Sequence, residues 1–131
     1  MRANDDYLLC NAEQQQVDGS SVFAYWRRLL QLRKQHVNVL IYGHFELLAA
    51  DDLPVVCYRR VHQSGTATVV LNFTDDECKW LVPPAVIQSW TMGRRILGNY
   101  AQPAELQSDN TVRLKPFETL VFLELQETVN L

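Results

Sequence analysis

The sequence predicts a mainly β protein, an antiparallel β-sandwich that follows one amphipathic α-helix. Apolar residues recur at helical spacing only between residues 20 and 36. From residue 39 onward, short segments rich in Val, Leu, Phe, Tyr and Thr alternate with Gly, Pro, Asn and Asp, which is typical of strands joined by turns. A chain of 131 residues suits one domain with a short appendage, not two full domains.

The helix is predicted over residues 20–36. The polar residues 18–21 offer side-chain oxygens that can cap the free N–H groups of a first helical turn. Four apolar side chains then fall at i, i+4, i+7 and i+8: Val22, Trp26, Leu29 and Leu30. Residues 1–17 show no sustained period and are predicted to form an irregular arm.

Eight short strands are predicted after the helix. They cover residues 45–48, 55–61, 68–73, 79–82, 87–90, 95–97, 112–114 and 119–125. Residues 62–65 (HQSG) predict a tight hairpin between the second and third strands. Pro83 and Pro84 should end the fourth strand, because proline cannot donate to a strand ladder.

Composition disfavours several classes of partner. The chain carries 12 Lys and Arg against 15 Asp and Glu, a formal charge of −3, so it offers no general field for nucleic-acid phosphates or an acidic membrane. No apolar run approaches the ~18 residues of a membrane span, and the N-terminus does not resemble a signal peptide. Three cysteines without a Cys-x-x-Cys pair predict reduced, buried or half-buried thiols in the cytoplasm.

A search of the sequence for reactive arrangements finds no convincing catalytic, metal or cofactor site. The three histidines lack ligand spacing and are predicted to be solvated: His36, His44 and His62. Acidic clusters lie at residues 5–6, 51–52 and 75–77, the last two where turns are expected. Arg94 and Arg95 form a basic spot that we interpret as ordinary surface.

Two tryptophans in strand-like segments leave one binding function open. Core packing is the preferred interpretation of Trp80 and Trp90, and stacking on a sugar ring is the alternative. Tyr42 and Tyr100, which lie near glycines, raise the same question.

Several stretches together resemble the C-terminal part of α-glucosidases of the α-amylase superfamily, and the maltase and oligo-1,6-glucosidase group in particular. They are residues 4–7 (NDDY), 10–13 (CNAE), 18–34 (DGSSVFAYWRRLLQLRK), 42–48 (YGHFELL), 69–74 (VVLNFT), 98–100 (GNY) and 114–118 (LKPFE). The resemblance covers nearly the whole chain. It implies a β-sandwich that follows a (β/α)8 barrel.

The same resemblance implies a division of the chain. Residues 1–17 would be the tail of the last barrel loop, residues 18–38 the last barrel helix and residues 39–131 the sandwich. The family's nucleophilic Asp, its acid/base Glu and its stabilising Asp match no residue here. The resemblance therefore implies a non-catalytic portion that stabilises the barrel of a retaining α-glucosidase.

Two other hypotheses remain open at this stage. The first is a freestanding β-sandwich module that binds a carbohydrate, such as a weakly held α-glucoside, or a protein. The second is a relative of the amino-acid-transporter heavy chains, which share the fold without activity. The apolar helix stripe also predicts self-association, through Phe23, Trp26 and Leu30, when no barrel covers it.

Overall fold

The computed structural model describes residues 4–49 and 54–126, and the chain divides into two compact units, Met1–Gln35 and His36–Leu131. The described elements are, in chain order, α1 (Ala12–Val17), α2 (Val22–Gln35), α3 (Val37–Leu40), β1 (His44–Ala49), β2 (Val55–His62), β3 (Gly65–Asn72), β4 (Cys78–Leu81), α4 (Pro84–Met92), β5 (Arg94–Gly98), β6 (Thr111–Leu114) and β7 (Thr119–Leu125). None of these helices combines the length and the apolar character that crossing a bilayer requires.

The first unit is more helical than its sequence predicts. Helix α2 confirms the predicted helix, and the hydroxyl oxygen of Ser21 caps it by accepting the N–H of Ala24 at 3.1 Å. The predicted irregular arm is wrong for residues 12–17, which form α1. Its cap is the side chain of Asn11, whose Oδ1 accepts the N–H of Gln14 at 2.9 Å.

The second unit, His36–Leu131, is called the β unit below. It is built on a five-stranded antiparallel sheet with the strand order β1-β2-β3-β7-β5. Strands β2 and β3 pair from Val55 with Asn72 to His62 with Gly65, which confirms the predicted hairpin. Gly65 has φ +154°, and a Cβ there would collide with the carbonyl oxygen of Glu124 on β7. Glycine therefore allows the hairpin to end directly against the next strand.

One face of the large sheet carries the core. Strands β4 and β6 form a separate two-stranded sheet, whose side chains join those of α4 and the large sheet in one buried cluster. The cluster consists of Val55, Cys57, Val70, Trp80, Val82, Val86, Val112, Leu114, Leu120 and Phe122. The predicted fold class, mainly antiparallel β with a helix before the strands, is confirmed.

One predicted strand is a helix. Residues 87–90 lie inside α4, so the prediction of eight strands with nothing helical between them is wrong. Pro84 occupies the first turn of α4, where proline's fixed φ suits a helix and its missing N–H costs nothing. Val86 and Ser89 are buried and Trp90 is half-buried, the i, i+3, i+4 spacing of a helix face.

A chain of three polar side chains attaches α4 to the sheet. Ser89 of α4 donates its hydroxyl proton to Oε1 of Glu124 at 2.6 Å. The hydroxyl of Thr68 lies 2.7 Å from that of Ser89, and Ser89 has no second proton, so Thr68 is the donor. Thr68 and Ser89 are buried, and their hydrogen bonds satisfy groups that would be costly to leave without partners.

Both edge strands of the large sheet contain an irregularity. The pairing of β1 with β2 shifts register between Leu47 and Ala49, and that of β5 with β7 shifts between Arg95 and Leu97. Each shift places one extra residue on the outer strand, as in a β-bulge, which locally increases the twist of that strand.

The position of the core predicts which leucine stabilises the fold. Leu120 is 1% exposed and belongs to the core cluster, so we expect Leu120→Ala to lower the free energy of unfolding by about 2–5 kcal/mol. Leu81→Ala is the matched control, because Leu81 is 68% exposed, and we expect a change within about 0.5 kcal/mol. Urea titration measures both values, and equal losses would contradict the assigned core.

Candidate functional site

The most concentrated set of polar contacts surrounds the turn between β6 and β7. Residues 115–118 form this turn. Five polar residues hold it, and we call them the turn cluster: Asn72, Asn99, Tyr100, Lys115 and Glu118. All of them lie in stretches 69–74, 98–100 and 114–118, or directly beside them, although these stretches are far apart in sequence.

Glu118 is the buried centre of the turn cluster. Its side chain is 0% exposed. Oε1 accepts the N–H of Ala104 and Oε2 accepts the N–H of Lys115, each at 2.8 Å. A buried carboxylate is stable only when its oxygens are hydrogen-bonded, and here two backbone donors from different segments satisfy it.

Asn72, at the end of β3, holds the turn from the other side. Its amide group donates to the carbonyl oxygens of Asp76 at 2.8 Å and Lys115 at 2.9 Å. Its Oδ1 accepts the N–H of Thr74 at 3.2 Å and the hydroxyl of Thr74 at 2.8 Å. One side chain therefore joins β3, the turn after it and the turn before β7.

Asn99 and Tyr100 fix the outer side of the same turn. Asn99 donates to the carbonyl of Phe117 and accepts the N–H of Thr119, both at 2.8 Å. The Tyr100 hydroxyl donates to the carbonyl of Pro116 at 2.8 Å. Phe117 has φ +50°, a sparsely populated conformation for a bulky residue, which persists where the surrounding contacts determine the backbone.

Lys115 completes the cluster. Its ammonium group donates to the carbonyl of Gln102 and lies 5.0 Å from the centre of the Tyr100 ring. The cation thus ties residues 99–102 to the turn through a hydrogen bond and a cation–π contact. Backbone groups bind both oxygens of Glu118. They also bind the oxygen and the nitrogen of the Asn72 and Asn99 side-chain amides. The cluster therefore suits a structural role and not proton transfer.

The carboxylate clusters predicted at residues 5–6 and 75–77 belong to different units of the chain. Residues 51–52 lie outside the described residues. Asp5 and Asp6 are exposed in the first unit, and residues 75–77 are exposed in the turn after β3, where Glu77 pairs with Arg113 at 3.1 Å. Within residues 4–49 and 54–126, no group of three or more His, Cys, Asp or Glu residues could hold a metal ion.

The histidines and the basic pair lie on different elements of the β unit, although His44 pairs with Val61, the residue before His62. His44 is exposed at the start of β1, whereas His36 is half-buried before α3. The Nδ1 atom of half-buried His62 lies 2.8 Å from the hydroxyl of Ser64 in the β2–β3 hairpin, so this histidine is part of the turn. Arg94 and Arg95 are exposed in β5, which includes the strand predicted over residues 95–97.

The three thiols differ in their surroundings. Cys57 is buried and Cys78 half-buried, as predicted, whereas Cys10 is exposed, so the prediction is wrong there. Burial raises the pKa of Cys57 to about 12. Since the thiolate is the nucleophilic form, Cys57 is poorly suited to nucleophilic catalysis near neutral pH.

The preferred interpretation of the two β-unit tryptophans is confirmed for Trp80, which is buried in the core. Trp90 is half-buried, and its ring centre lies 4.8 Å from that of Phe122. Tyr42 is largely exposed before β1, and Tyr100 belongs to the turn cluster.

Comparison with curated proteins identifies the relatives of this chain. An oligo-1,6-glucosidase of Halalkalibacterium halodurans is 34% identical over 131 residues, which is 97% of this chain and 22% of the relative. An oligo-1,6-glucosidase of Saccharomyces cerevisiae is 32% identical, with 86% of this chain and 18% of the relative covered. The chain is homologous to a C-terminal part of α-glucosidases of the α-amylase superfamily.

Solved structures agree with this α-glucosidase relationship at the level of the fold. A trehalose-6-phosphate hydrolase of Bacillus licheniformis matches 96% of this chain with a TM-score of 0.81 and 23% identity, over 22% of its own chain. An isomaltulose synthase of Erwinia rhapontici matches 94% of this chain with a TM-score of 0.77 and 24% identity, over 21% of its own chain. No family model matches the chain.

The chain thus spans about a fifth of the length of the α-glucosidase relatives it matches.

Three of the stretches on which the predicted resemblance depends meet in the turn cluster. Sequence analysis identified these stretches by their likeness to the family but missed their shared role, since Asn72 and Lys115 are 43 positions apart and no local spacing links them.

The turn cluster predicts that Glu118 stabilises the fold through both of its oxygens. Glu118→Gln keeps the size of the side chain but turns an NH2 group toward one of the two buried N–H donors. We expect a loss of about 1–3 kcal/mol in the free energy of unfolding, because one buried N–H loses its acceptor. The loss is measured by urea unfolding followed by circular dichroism.

Glu77→Gln is the matched control for Glu118→Gln. Glu77 pairs with Arg113 on the surface, so its replacement should change the free energy of unfolding by less than about 1 kcal/mol. The role assigned to the buried carboxylate would be wrong if Glu118→Gln left the free energy of unfolding unchanged, or if Glu77→Gln lowered it by more than Glu118→Gln does.

Proposed function

We propose that this chain acts as the non-catalytic C-terminal portion of an α-glucosidase of the maltase type and stabilises the barrel that hydrolyses terminal α-linked glucose. The main support is the match to two oligo-1,6-glucosidases. One match covers 97% of this chain but 22% of the relative, and the other covers 91% of this chain but 20% of the relative. The buried carboxylate of Glu118 also suits a structural portion, because two backbone N–H groups engage its oxygens.

Helix α2 is the element proposed to contact the barrel. Its stripe carries four exposed apolar side chains: Val22 at 66%, Phe23 at 37%, Trp26 at 56% and Leu30 at 47% exposure. Such a group of large apolar residues on one helix face is typical of a surface that packs against another element. In the α-amylase superfamily, the last barrel helix packs one face on the cylinder of strands, and α2 is proposed to be that helix.

The β unit is proposed to add a folded core of its own to the parent enzyme. Its strands contribute the buried cluster, and the turn cluster fixes the start of β7. The unit would thus contribute a folded domain to the enzyme, which is a stabilising role and not a chemical one.

A complementation experiment tests this function. The barrel portion of the H. halodurans relative, without the matched C-terminal part, is produced separately and mixed with the 131-residue chain. We expect the chain alone to show no hydrolysis of p-nitrophenyl α-glucoside, and the mixture to gain soluble activity that the barrel portion alone lacks. Hydrolysis by the purified chain alone, or no association of the two parts by gel filtration, would contradict the proposal.

The exposed stripe also predicts that the isolated chain self-associates. Trp26→Gln combined with Leu30→Gln should shift the chain toward the monomer, because the two changes remove two large exposed apolar side chains of the stripe. Analytical ultracentrifugation across a range of protein concentrations measures the shift, and circular dichroism should show the β-structure retained.

The control for the stripe is Gln31→Ala combined with Gln35→Ala, on the opposite side of α2 from the stripe. This variant should associate like the unchanged chain. If the stripe variant instead unfolds, or if both variants associate equally, then the stripe is not the contact surface.

A further inference from the structure

A cleft of about 360 Å³ opens in the β unit beside the edge strand β5. Among the strands that the structure describes, none pairs with the outer side of β5, so the core face of the sheet reaches solvent there. Helix α4 forms one wall through Trp90, and the extended segment around Pro103 and Leu106 forms the other. Leu120 and Phe122 of β7 form the floor.

The floor of the cleft presents a partly exposed aromatic surface. The rings of Trp90 and Phe122 are 4.8 Å apart with an interplanar angle of 44°. Phe122 is buried, but Trp90 is only half-buried and lines the cleft. Trp90 is therefore accessible from the cleft, and its tilted contact with the Phe122 ring limits its movement.

Two oppositely charged residues line the same cleft. Arg95 projects from β5 and Glu105 from the segment that follows it, and both are exposed. Among residues 4–49 and 54–126, neither the guanidinium group of Arg95 nor the carboxylate of Glu105 has a hydrogen-bond or ion-pair partner. The cleft thus combines an apolar floor with a free donor group and a free acceptor group, and the two charges cancel.

We propose that this cleft is a binding site for a neutral, pyranose-sized polyol such as a hexose. A pyranose ring presents C–H groups on one face, which fit the indole of Trp90, and hydroxyl groups around its edge. These hydroxyls can accept from Arg95 and donate to Glu105, since charged groups form strong hydrogen bonds. Ligand clefts span about 300–1,000 Å³, so 360 Å³ suits one ring or two and nothing larger.

The charges favour a neutral ligand over a charged one. An anionic ligand that pairs with Arg95 would be repelled by the Glu105 carboxylate, and a cationic ligand that pairs with Glu105 would be repelled by Arg95. The proposal does not depend on the proposed function, because the cleft lies within the β unit and involves no residue of α2.

Titration of the 131-residue chain with glucose, followed by two-dimensional ¹H–¹⁵N NMR, tests the site. The indole N–H signal of Trp90 is assigned from the Trp90→Phe variant, and the amide of Ala104 reports on the opposite wall. We expect both signals to shift in a saturable way with half-saturation at about 10 mM, since a shallow cleft offers few contacts. No shift at about 100 mM glucose, ten times the expected half-saturation, would overturn the proposal.

Variants of the charged residues decide whether polar recognition is involved. Arg95→Gln and Glu105→Gln should each raise the glucose half-saturation concentration about fivefold or more, because each removes a charge-assisted hydrogen bond. Arg113→Gln is the matched control: Arg113 is also an exposed strand arginine, but it lies on β6 and pairs with Glu77, so it should leave the titration unchanged.

Two further ligands separate this proposal from non-specific apolar binding. Glucuronate has the same ring with a carboxylate in place of the hydroxymethyl group of glucose, and should bind more weakly than glucose. Cyclohexanol has the ring size but a single hydroxyl, and should produce smaller shifts that neither Arg95→Gln nor Glu105→Gln alters. If cyclohexanol matches glucose, or if the two variants titrate like the unchanged chain, then the cleft does not recognise a polyol.

Discussion

The carboxylate of Glu118 is the constraint on which the β unit depends. It is buried, and two backbone N–H groups, from Ala104 and Lys115, replace the water it loses. These bonds place the turn from which β7 begins, and β7 lies between β3 and β5 in the large sheet. A misplaced start of β7 would shift two strand pairings at once, and a one-residue slip would reverse the faces of its side chains.

The two units differ in how much apolar surface they bury. The β unit has a continuous core that joins both of its sheets to α4. By contrast, α2 has no buried residue although its stripe is strongly apolar. This contrast suits a segment whose β part folds around its own core and whose helix packs against a part of a larger protein. The comparison agrees with this interpretation, because the chain covers only about a fifth of its relatives.

Sequence reasoning succeeded where the physical signal is local. The bounds of β7 follow from an apolar run with a turn before it, and those of α2 from a helical stripe behind a serine cap. It failed at α4, because a nine-residue segment with Ile and Trp resembles a strand unless Pro84 is interpreted as a first-turn residue. The turn cluster could not be derived, since Asn72 and Glu118 meet only after the sheet has formed.

The irregularities in β1 and β5 bear on how this sheet behaves in a crowded solution. An open sheet ends in two rows of unpaired backbone donors and acceptors, which can template the addition of a strand from another molecule. Here the added residue near Leu48 and that near Ile96 twist each border, so an incoming strand cannot stay in register along its length. The same sheet that gives the unit its core is thereby protected from growing into a fibre.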